Sequence, residues 1–289
     1  QSVIDEAVAG DTVFLHAGTY HVHLILRQGV DLKGEDAKTT ILNGDYQSQV
    51  DVIIAQGNNR IEDLTITGGG PYAGMPSSAI RVEGDHVKIR NNQIIDNRDY
   101  GIYIRTGNNT LIEMNFFKDT HLGVQLPNDT AVIRYNTFVH NDITVNVLNG
   151  AKPRIENNIF IGSTFQSIYE FSWNAYASGQ ASRGFAAVEN NTFFNNTEHG
   201  SYYGSATPPA AEAQTAGNQR ADPGFVDAAH GNYSIGTASA AYGRGCFLPV
   251  GLGNALDRAS WIPADFTLRN ILDGTNITGY EIVYADGSR

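Results

Sequence analysis

Hydrophobic and polar residues alternate along most of this chain in short runs, and helix-length apolar stripes are absent. From residue 12 onward, apolar runs of three to five residues with period-two alternation are separated by turn-forming residues, a pattern typical of short β-strands. The segment SVIDEAVA, residues 2–9, is the exception and predicts an amphipathic helix that covers the exposed strands of the first coil. The pattern therefore predicts an all-β protein with an N-terminal capping helix.

The same short strands recur at a fixed spacing. Five segments align on an asparagine, with steps of 23, 21, 22 and 33 residues; these are Asn92, Asn115, Asn136, Asn158 and Asn191. A period near 22 residues indicates a repeat architecture, in which each repeat is one coil and neighbouring coils stack about 4.8 Å apart. We expect about seven coils up to residue 205. Asparagine suits the corner of a coil because it tolerates left-handed backbone angles, and stacked amides can hydrogen-bond along the stack.

The period sets the predicted domain boundary. We interpret residues 1–245 as one solenoid domain, in which the segments before the aligned asparagines fit the period less regularly and residues 205–245 change character. Residues 246–289 lose the period and hold a late strand pair in TNITGYEIVYADG. We expect this segment to be a C-terminal cap or the start of a truncated second module.

Composition narrows the range of partners. The 289 residues are 41% hydrophobic, enough to bury a core, and 19 basic against 30 acidic residues give a formal charge of −11. This charge argues against a nucleic-acid partner, and it means that a polyanionic substrate must be attracted locally. No apolar run approaches the roughly 18 residues of a membrane span. Cys246 is the single cysteine, so the sequence predicts neither a disulfide framework nor a cysteine metal site.

Several segments carry a family resemblance. AVAGDTVFLHAGTY, LKGEDAKTTILNG, the repeated N-N-x-[IF] motif and ADPGFVDAAHGNYSI resemble secreted right-handed parallel β-helix proteins of the pectate-lyase-like superfamily. The resemblance covers residues 1 to about 245. It implies a right-handed parallel β-helix, a secreted or cell-surface location and a polysaccharide or oligosaccharide partner. The fold hosts lyases, hydrolases, epimerases and surface proteins, so the reaction must be argued from the site.

In such folds the strand after the third corner usually lines the substrate cleft. Alternation along these strands predicts one outward column made of Arg81, Tyr103, Gln125 and Asn146. A second column, two residues before each position equivalent to Gly101, is made of Ser77, Asp99, His121 and Asp142. We also place Glu170 outward, because the opposite choice would bury an acid. Two insertions, residues 68–78 and 172–184, add Tyr72, Trp173 and Tyr176 as rings on which sugars can stack.

These columns predict a carbohydrate-active enzyme, and the preferred reaction is polysaccharide lyase chemistry on a uronate. Such β-elimination needs neutralisation of the C6 carboxylate, a base for the C5 proton and an acid for the leaving oxygen. We assign neutralisation to Arg81 and Arg105 with Gln125 and Asn146, the base to His121 or Arg105, and the acid to Tyr103. Asp99 and Asp142 would orient His121 or hold Ca²⁺ as a possible cofactor.

Two alternatives stay open at this point. The first is an inverting glycoside hydrolase. Asp99 and Asp142 are two coils or roughly 9.6 Å apart, which is at the upper edge of the distance between the two carboxyl groups in such enzymes. The second alternative is that the chain is a non-catalytic carbohydrate-binding or surface β-helix protein. We expect a monomer.

Overall fold

The chain coils into a parallel β-solenoid in which each complete turn contributes one strand to each of three sheets. The computed structural model describes residues 2–71, 77–127, 129–149, 151–171, 186–197, 201–202, 217–236, 238–246, 266–273 and 276–284. Within this part of the chain, the three parallel sheets have eight, nine and eight strands, and successive strands of each sheet come from successive coils. The predicted all-β parallel β-helix is therefore confirmed.

In all three sheets, equivalent strands of successive coils pair in parallel, and each strand is short. The first sheet is made of Thr12–Leu15, Asp31–Gly34, Arg60–Glu62, Lys88–Arg90, Leu111–Glu113, Val132–Arg134, Arg154–Glu156 and Ala187–Glu189. The second sheet is made of Gly18–His21, Thr40–Asn43, Thr65–Thr67, Gln93–Ile95, Phe116–Lys118, Thr137–Val139, Ile159–Ile161, Thr192–Phe194 and Gln219–Arg220. The third sheet is made of Leu24–Leu26, Ile53–Ala55, Ser78–Val82, Tyr100–Ile104, Leu122–Leu126, Ile143–Leu148, Gln166–Phe171 and Ser201–Tyr202.

A short helix precedes the first coil, as predicted. It spans Ser2–Glu6 and contacts the strand Leu24–Leu26. Ile4 is 2% exposed and belongs to the same apolar cluster as the strand residues of the solenoid. The sequence predicted an amphipathic helix over residues 2–9, and the observed helix ends at Glu6.

The aligned asparagines lie at the corner between the first and second sheets. Asn136 is fully buried, and its Oδ1 accepts both the backbone N–H and the side-chain amide of Asn115. Its own amide donates to Ile112 O and to Asn158 Oδ1. The left-handed backbone residue of this corner is the preceding one, for example Met114 at φ 59° and Tyr135 at φ 53°. The asparagines are therefore used for their amides and not for left-handed backbone angles.

The core runs along the axis of the coils as stacked identical positions. Inward residues of the second sheet form a column of phenylalanine rings, with centroids 4.5 to 5.0 Å apart; these are Phe117, Phe138, Phe160 and Phe193. Offset-stacked rings at this spacing add to the free energy of apolar burial. A rigid, dry core holds the outer faces of the sheets in a fixed register.

Charged residues alternate in sign along the outer face of the first sheet. Successive coils place Lys33, Glu62, Arg90, Glu113, Arg134 and Glu156 in register. In the middle of this row, Arg90 Nε lies 2.9 Å from Glu113 Oε1, and Arg134 Nη2 lies 2.8 Å from Glu113 Oε2. Because positive and negative side chains alternate along the row, neighbours on successive coils attract each other, whereas like charges would repel.

Two compact units divide the chain. The first comprises residues 1–222 and 244–247, and the second comprises residues 223–243 and 248–289. The second unit contains an antiparallel pair, Phe225–Asp227 with Asn232–Ile235, joined by the 3-10 turn Ala228–His230. It also contains the antiparallel pair Phe266–Asp273 with Asn276–Tyr284.

Candidate functional site

The outer face of the third sheet carries the predicted polar column. Backbone pairing places Arg81 opposite Tyr103, Tyr103 opposite Gln125, and Gln125 opposite Asn146. Their strand neighbours, such as Ile102 and Val124, are fully buried in the core. The next member of the column is Tyr169, which pairs with Asn146. The column is therefore continuous over five coils.

Glu170 does not belong to this face, contrary to the prediction. It pairs with the inward residue Val147 and is 3% exposed. Its Oε1 accepts the backbone N–H of Ala186 at 2.8 Å. The sequence argument assumed that an acid avoids burial, but a buried carboxylate is tolerated when backbone donors satisfy it. Tyr169 takes the outward place that was assigned to Glu170.

A second tyrosine, Tyr100, lies beside Tyr103 on this face. A Cβ on Gly101 would lie 2.6 Å from Gly123 O, so this position must be glycine for the coils to stack closely. The rings of Tyr100 and Tyr103 stack at 5.2 Å with a 25° interplanar angle, so both project on the same side. Tyr100 pairs with Leu122, the residue after His121. It is therefore nearer than Tyr103 to the start of these strands.

His121 and Asp142 form a polar pair at the start of the third-sheet strands. His121 Nδ1 lies 2.8 Å from Asp142 Oδ2, and both side chains are about half exposed, at 50% and 47%. The Thr164 hydroxyl donates to the other oxygen of Asp142. Partial burial alone would raise the pKa of Asp142, but the hydrogen bonds from Thr164 and His121 outweigh it and lower that pKa. In the described part of the chain, His121 Nε2 has no partner and is available to a ligand.

Asp99 does not extend this pair, because its coil contains one extra residue. His121 N donates to Asn97 O, whereas Leu122 N donates to Asp99 O, so two residues of one coil face one residue of the next. Asp99 is turned inward at 2% exposure, and its Oδ2 accepts the Ser77 N–H at 3.0 Å. Burial raises the pKa of Asp99 to about 6. The predicted exposed trio of Asp99, His121 and Asp142 is therefore wrong at Asp99.

Arg98 occupies the exposed position that Asp99 was expected to hold. Its guanidinium carbon lies 4.1 Å from the centroid of the Tyr46 ring, and the Tyr46 hydroxyl donates to the Asp96 carboxylate. No carboxylate of the described residues forms an ion pair with Arg98. The sequence analysis missed Arg98 and Tyr46 because they are far apart in sequence, and the adjacent Asp99 matched the expected spacing.

The other two arginines of this face are already paired with acids. Arg81 Nη1 lies 2.8 Å from Asp51 Oδ2, and Arg81 Nε lies 3.1 Å from Glu83 Oε1. Arg105 Nη1 lies 2.8 Å from the same Glu83 oxygen. A guanidinium does not lose its proton in proteins and is a poor base. These contacts oppose the predicted use of Arg81 and Arg105 as carboxylate ligands, and of Arg105 as a base.

Gln125 and Asn146 form an amide pair in the middle of the column. Asn146 Nδ2 donates to Gln125 Oε1 at 2.9 Å, and the two residues are 9% and 7% exposed. Among the described residues, the buried Asn146 Oδ1 has no hydrogen-bond partner. A buried, unsatisfied amide oxygen is costly, and a ligand hydroxyl or amide would satisfy it.

The predicted calcium ligands do not form one site. Asp99 is buried against Ser77, and Asp142 is engaged by His121 and Thr164. Across the described residues, no group of three His, Cys, Asp or Glu side chains is placed to hold a metal ion. The donor set of Asp99 and Asp142 therefore does not fit calcium, and a calcium requirement stays a prediction from the sequence.

Three predicted sugar-stacking residues, Tyr72, Trp173 and Tyr176, lie outside the described residues. Within the described part, no helix is long and apolar enough to cross a membrane. The aromatic residues that the structure does describe on this face include Tyr100, Tyr103 and Tyr169, and the Tyr169 ring stacks on that of Phe171. A sequence signal for Tyr169 existed in its equivalence to Asn146, but the choice of register for that strand hid it.

Comparisons with known proteins support the fold. A family model described as the right handed beta helix region matches residues 28–180 and 78–219. No curated protein matches the chain. An alginate lyase from Paenibacillus sp. str. FPU-7 has a TM-score of 0.51 and 16% identity, over 76% of this chain and 91% of its own.

Two further solved structures are similar at lower scores. A pectin methylesterase from Yersinia enterocolitica has a TM-score of 0.43 and 16% identity, over 76% of this chain and 89% of its own. A pectin methylesterase in complex with a hexasaccharide has a TM-score of 0.35 and 13% identity, over 68% and 72%. Identities this low show the fold alone. Because the family model covers more than half of its length, the chain belongs to the right-handed β-helix family.

Proposed function

We propose that this chain is a carbohydrate-active enzyme that binds an acidic polysaccharide on the outer face of the third sheet and cleaves it by β-elimination. The observation that carries the proposal is His121, whose Nδ1 is held by Asp142 while Nε2 faces outward without a described partner. A histidine oriented by a carboxylate is a general base in reach of a ligand on the same face. The stacked tyrosines and the amide pair lie along the same strands and supply sugar contacts.

The chemistry assigned to this face needs no water and no redox partner. His121 Nε2 removes the C5 proton of a uronate, the C4–C5 double bond forms, and the C4–O4 bond breaks. The departing oxygen takes a proton and becomes a hydroxyl group. We assign this proton to the stacked tyrosines, of which Tyr100 is closer to His121 than the predicted Tyr103. From His121 to Gln125, opposite Tyr103, the strand rises roughly 13 Å at 3.3 Å per residue.

The hydrolase alternative is less favoured by this geometry. Inverting hydrolysis needs two carboxyl groups that flank the scissile bond with room for a water molecule. Asp142 is half exposed, but Asp99 is buried against Ser77. A non-catalytic binding protein stays the competing proposal. Secretion and the monomeric state stay predictions from the sequence.

The test is turnover on a panel of polymers. We expect the chain to release products that absorb at about 235 nm, where unsaturated uronates absorb, from alginate or polygalacturonate and not from neutral glucans. His121→Ala should lower turnover by about 10²–10⁴-fold, the usual effect of losing an acid–base group. A matched control is His16→Ala, because His16 is also exposed and lies 3.3 Å from a carboxylate, Glu35.

Each reaction class gives a different outcome in this assay. New reducing ends without the absorbance would indicate hydrolysis, and binding without products would indicate a non-catalytic protein. Equal turnover by His121→Ala and the unmodified chain would contradict the assignment of the base. The same assay with EDTA tests the predicted calcium: loss of turnover that added Ca²⁺ restores would support it, and unchanged turnover would count against it.

A further inference from the structure

Arg98 differs from the other arginines of the third-sheet face in having no acidic partner among the described residues. Arg81 and Arg105 are held by Asp51 and Glu83 at 2.8 to 3.1 Å. Arg98 is exposed and contacts the face of the Tyr46 ring at 4.1 Å. A ring holds a guanidinium in place through cation–π attraction and leaves its N–H donors free for another ligand.

The backbone places Arg98 beside His121. His121 N donates to Asn97 O at 3.2 Å, so His121 is the neighbour of Arg98 on the next coil, at about the 4.8 Å strand spacing. Arg98 reaches this exposed place because its coil has one extra residue, which turns Asp99 inward. The backbones of Arg98 and His121 are thus adjacent at the start of the same strands, while the guanidinium lies over Tyr46 and the imidazole is bound to Asp142.

Among the described residues, the acidic groups near Arg98 form no ion pair with it. Asp96 accepts the Tyr46 hydroxyl, and Asp142 is bound by His121 and Thr164. Asp99 is buried against the Ser77 N–H. In a chain with a formal charge of −11, an exposed arginine without an ion-pair partner among the described residues is a local site of attraction for an anion.

We propose that Arg98, held by Tyr46, binds a carboxylate of the substrate and makes the site specific for acidic over neutral polysaccharides. The inference rests on the proposed function, and it moves the carboxylate-binding role from Arg81 and Arg105 to Arg98. The planar guanidinium presents two parallel N–H donors, which match the two oxygens of a carboxylate. With its guanidinium over Tyr46, on the side away from Asp142, it holds a uronate unit of the same polymer beside the one that His121 deprotonates.

The experiment compares binding of polygalacturonate and alginate with binding of their carboxyl-reduced forms, which keep the polymer backbone but lose the charge. We expect Arg98→Ala to weaken binding of the acidic polymer by about 10–100-fold, the range for a lost charge-assisted hydrogen bond. Binding of the reduced polymer should stay unchanged. Arg98→Lys keeps the charge but loses the two-pronged geometry. Its affinity for the acidic polymer should lie between those of Arg98→Ala and the unmodified chain. Arg154→Ala is the matched control, because Arg154 is equally exposed but lies on the first sheet with Glu156 as its partner.

The outcomes separate this inference from the proposed function. Loss of acidic-polymer affinity in Arg98→Ala, with His121→Ala keeping affinity and losing turnover, supports both. Unchanged affinity in Arg98→Ala beside normal turnover overturns the role of Arg98 and leaves the proposed function intact. Weakened affinity in Arg98→Ala without turnover by the unmodified chain keeps the binding site and overturns the reaction. Equal losses of acidic-polymer affinity in Arg98→Ala and Arg154→Ala would show that the effect comes from the overall charge of the chain, and would overturn the inference.

Discussion

At the scale of single residues, burial and exposure give two aspartates of the same corner opposite pKa shifts. Asp99 is 2% exposed, and burial raises its pKa to about 6, whereas hydrogen bonds from Thr164 and His121 lower the pKa of Asp142. The two aspartates look equivalent in sequence, one residue before the apolar start of a strand. Their opposite pKa shifts follow from which way each side chain points.

The raised pKa of Asp99 makes stability depend on pH in a defined direction. Because the pKa in the folded chain lies above the ordinary value of 3.8, the folded state binds more protons between about pH 4 and pH 6, and stability falls as pH rises through that window. Asp99→Asn keeps an acceptor for the Ser77 N–H and removes the titration. We expect it to match the unmodified chain near pH 4 and to exceed its free energy of unfolding by about 1–3 kcal/mol at pH 7.

Urea unfolding at several pH values checks this expectation. Asp142→Asn is the control with the opposite sign, because a lowered pKa contributes stability above the ordinary value that is lost as pH falls through the folded pKa. A difference between Asp99→Asn and the unmodified chain that stays constant from pH 4 to pH 7 would contradict the assigned pKa.

At the scale of elements, the first sheet shows how stacked coils handle charge. Glu113 is fully buried and contacts Arg90, which is 2% exposed, and Arg134. One carboxylate is shared by guanidiniums from the coils on either side of it. Removing one partner of a buried ion pair leaves an uncompensated charge, which costs much more than an exposed pair contributes.

Glu113→Gln should therefore lower the free energy of unfolding by about 3–5 kcal/mol. Asp119→Asn, which removes an exposed pair with Lys118, should change it by at most about 1 kcal/mol. Guanidinium chloride unfolding of both variants measures the two effects. Similar small losses in both would show that the row on the first sheet contributes no more than a surface pair.

At the scale of the whole solenoid, stability comes from contacts between neighbouring coils along the axis. Phe138 is fully buried, with its ring between those of Phe117 and Phe160. In a repeat architecture each coil is stabilised by its two neighbours, so a cavity in a central coil weakens two interfaces.

Phe138→Ala should lower the free energy of unfolding by about 3–5 kcal/mol, the usual cost of truncating a core phenylalanine. Phe165→Ala is the control, since Phe165 is 55% exposed, and it should stay within about 0.5 kcal/mol. Thermal and chemical unfolding measure both. A loss in Phe138→Ala no larger than that in Phe165→Ala would contradict a core that couples neighbouring coils.

The sequence by itself determined the architecture. A period near 22 residues with period-two alternation has one structural solution of stacked coils, and it placed Ile102 and Val124 inside and Tyr103 and Gln125 outside. It also brought His121 and Asp142 together, because residues one period apart are neighbours in a solenoid.

The tertiary structure decided the features that a regular period does not determine. One extra residue in a coil turned Asp99 inward and Arg98 outward, and the opposite register of one strand buried Glu170 and exposed Tyr169. A shift of one residue moves a side chain to the other face of a sheet. The contact of Arg98 with Tyr46 joins residues 52 positions apart, and the contact of Arg81 with Asp51 joins residues 30 positions apart, so neither separation matches the period near 22 residues. Such pairs depend on where loops and side chains pack in three dimensions, and no local pattern encodes that packing.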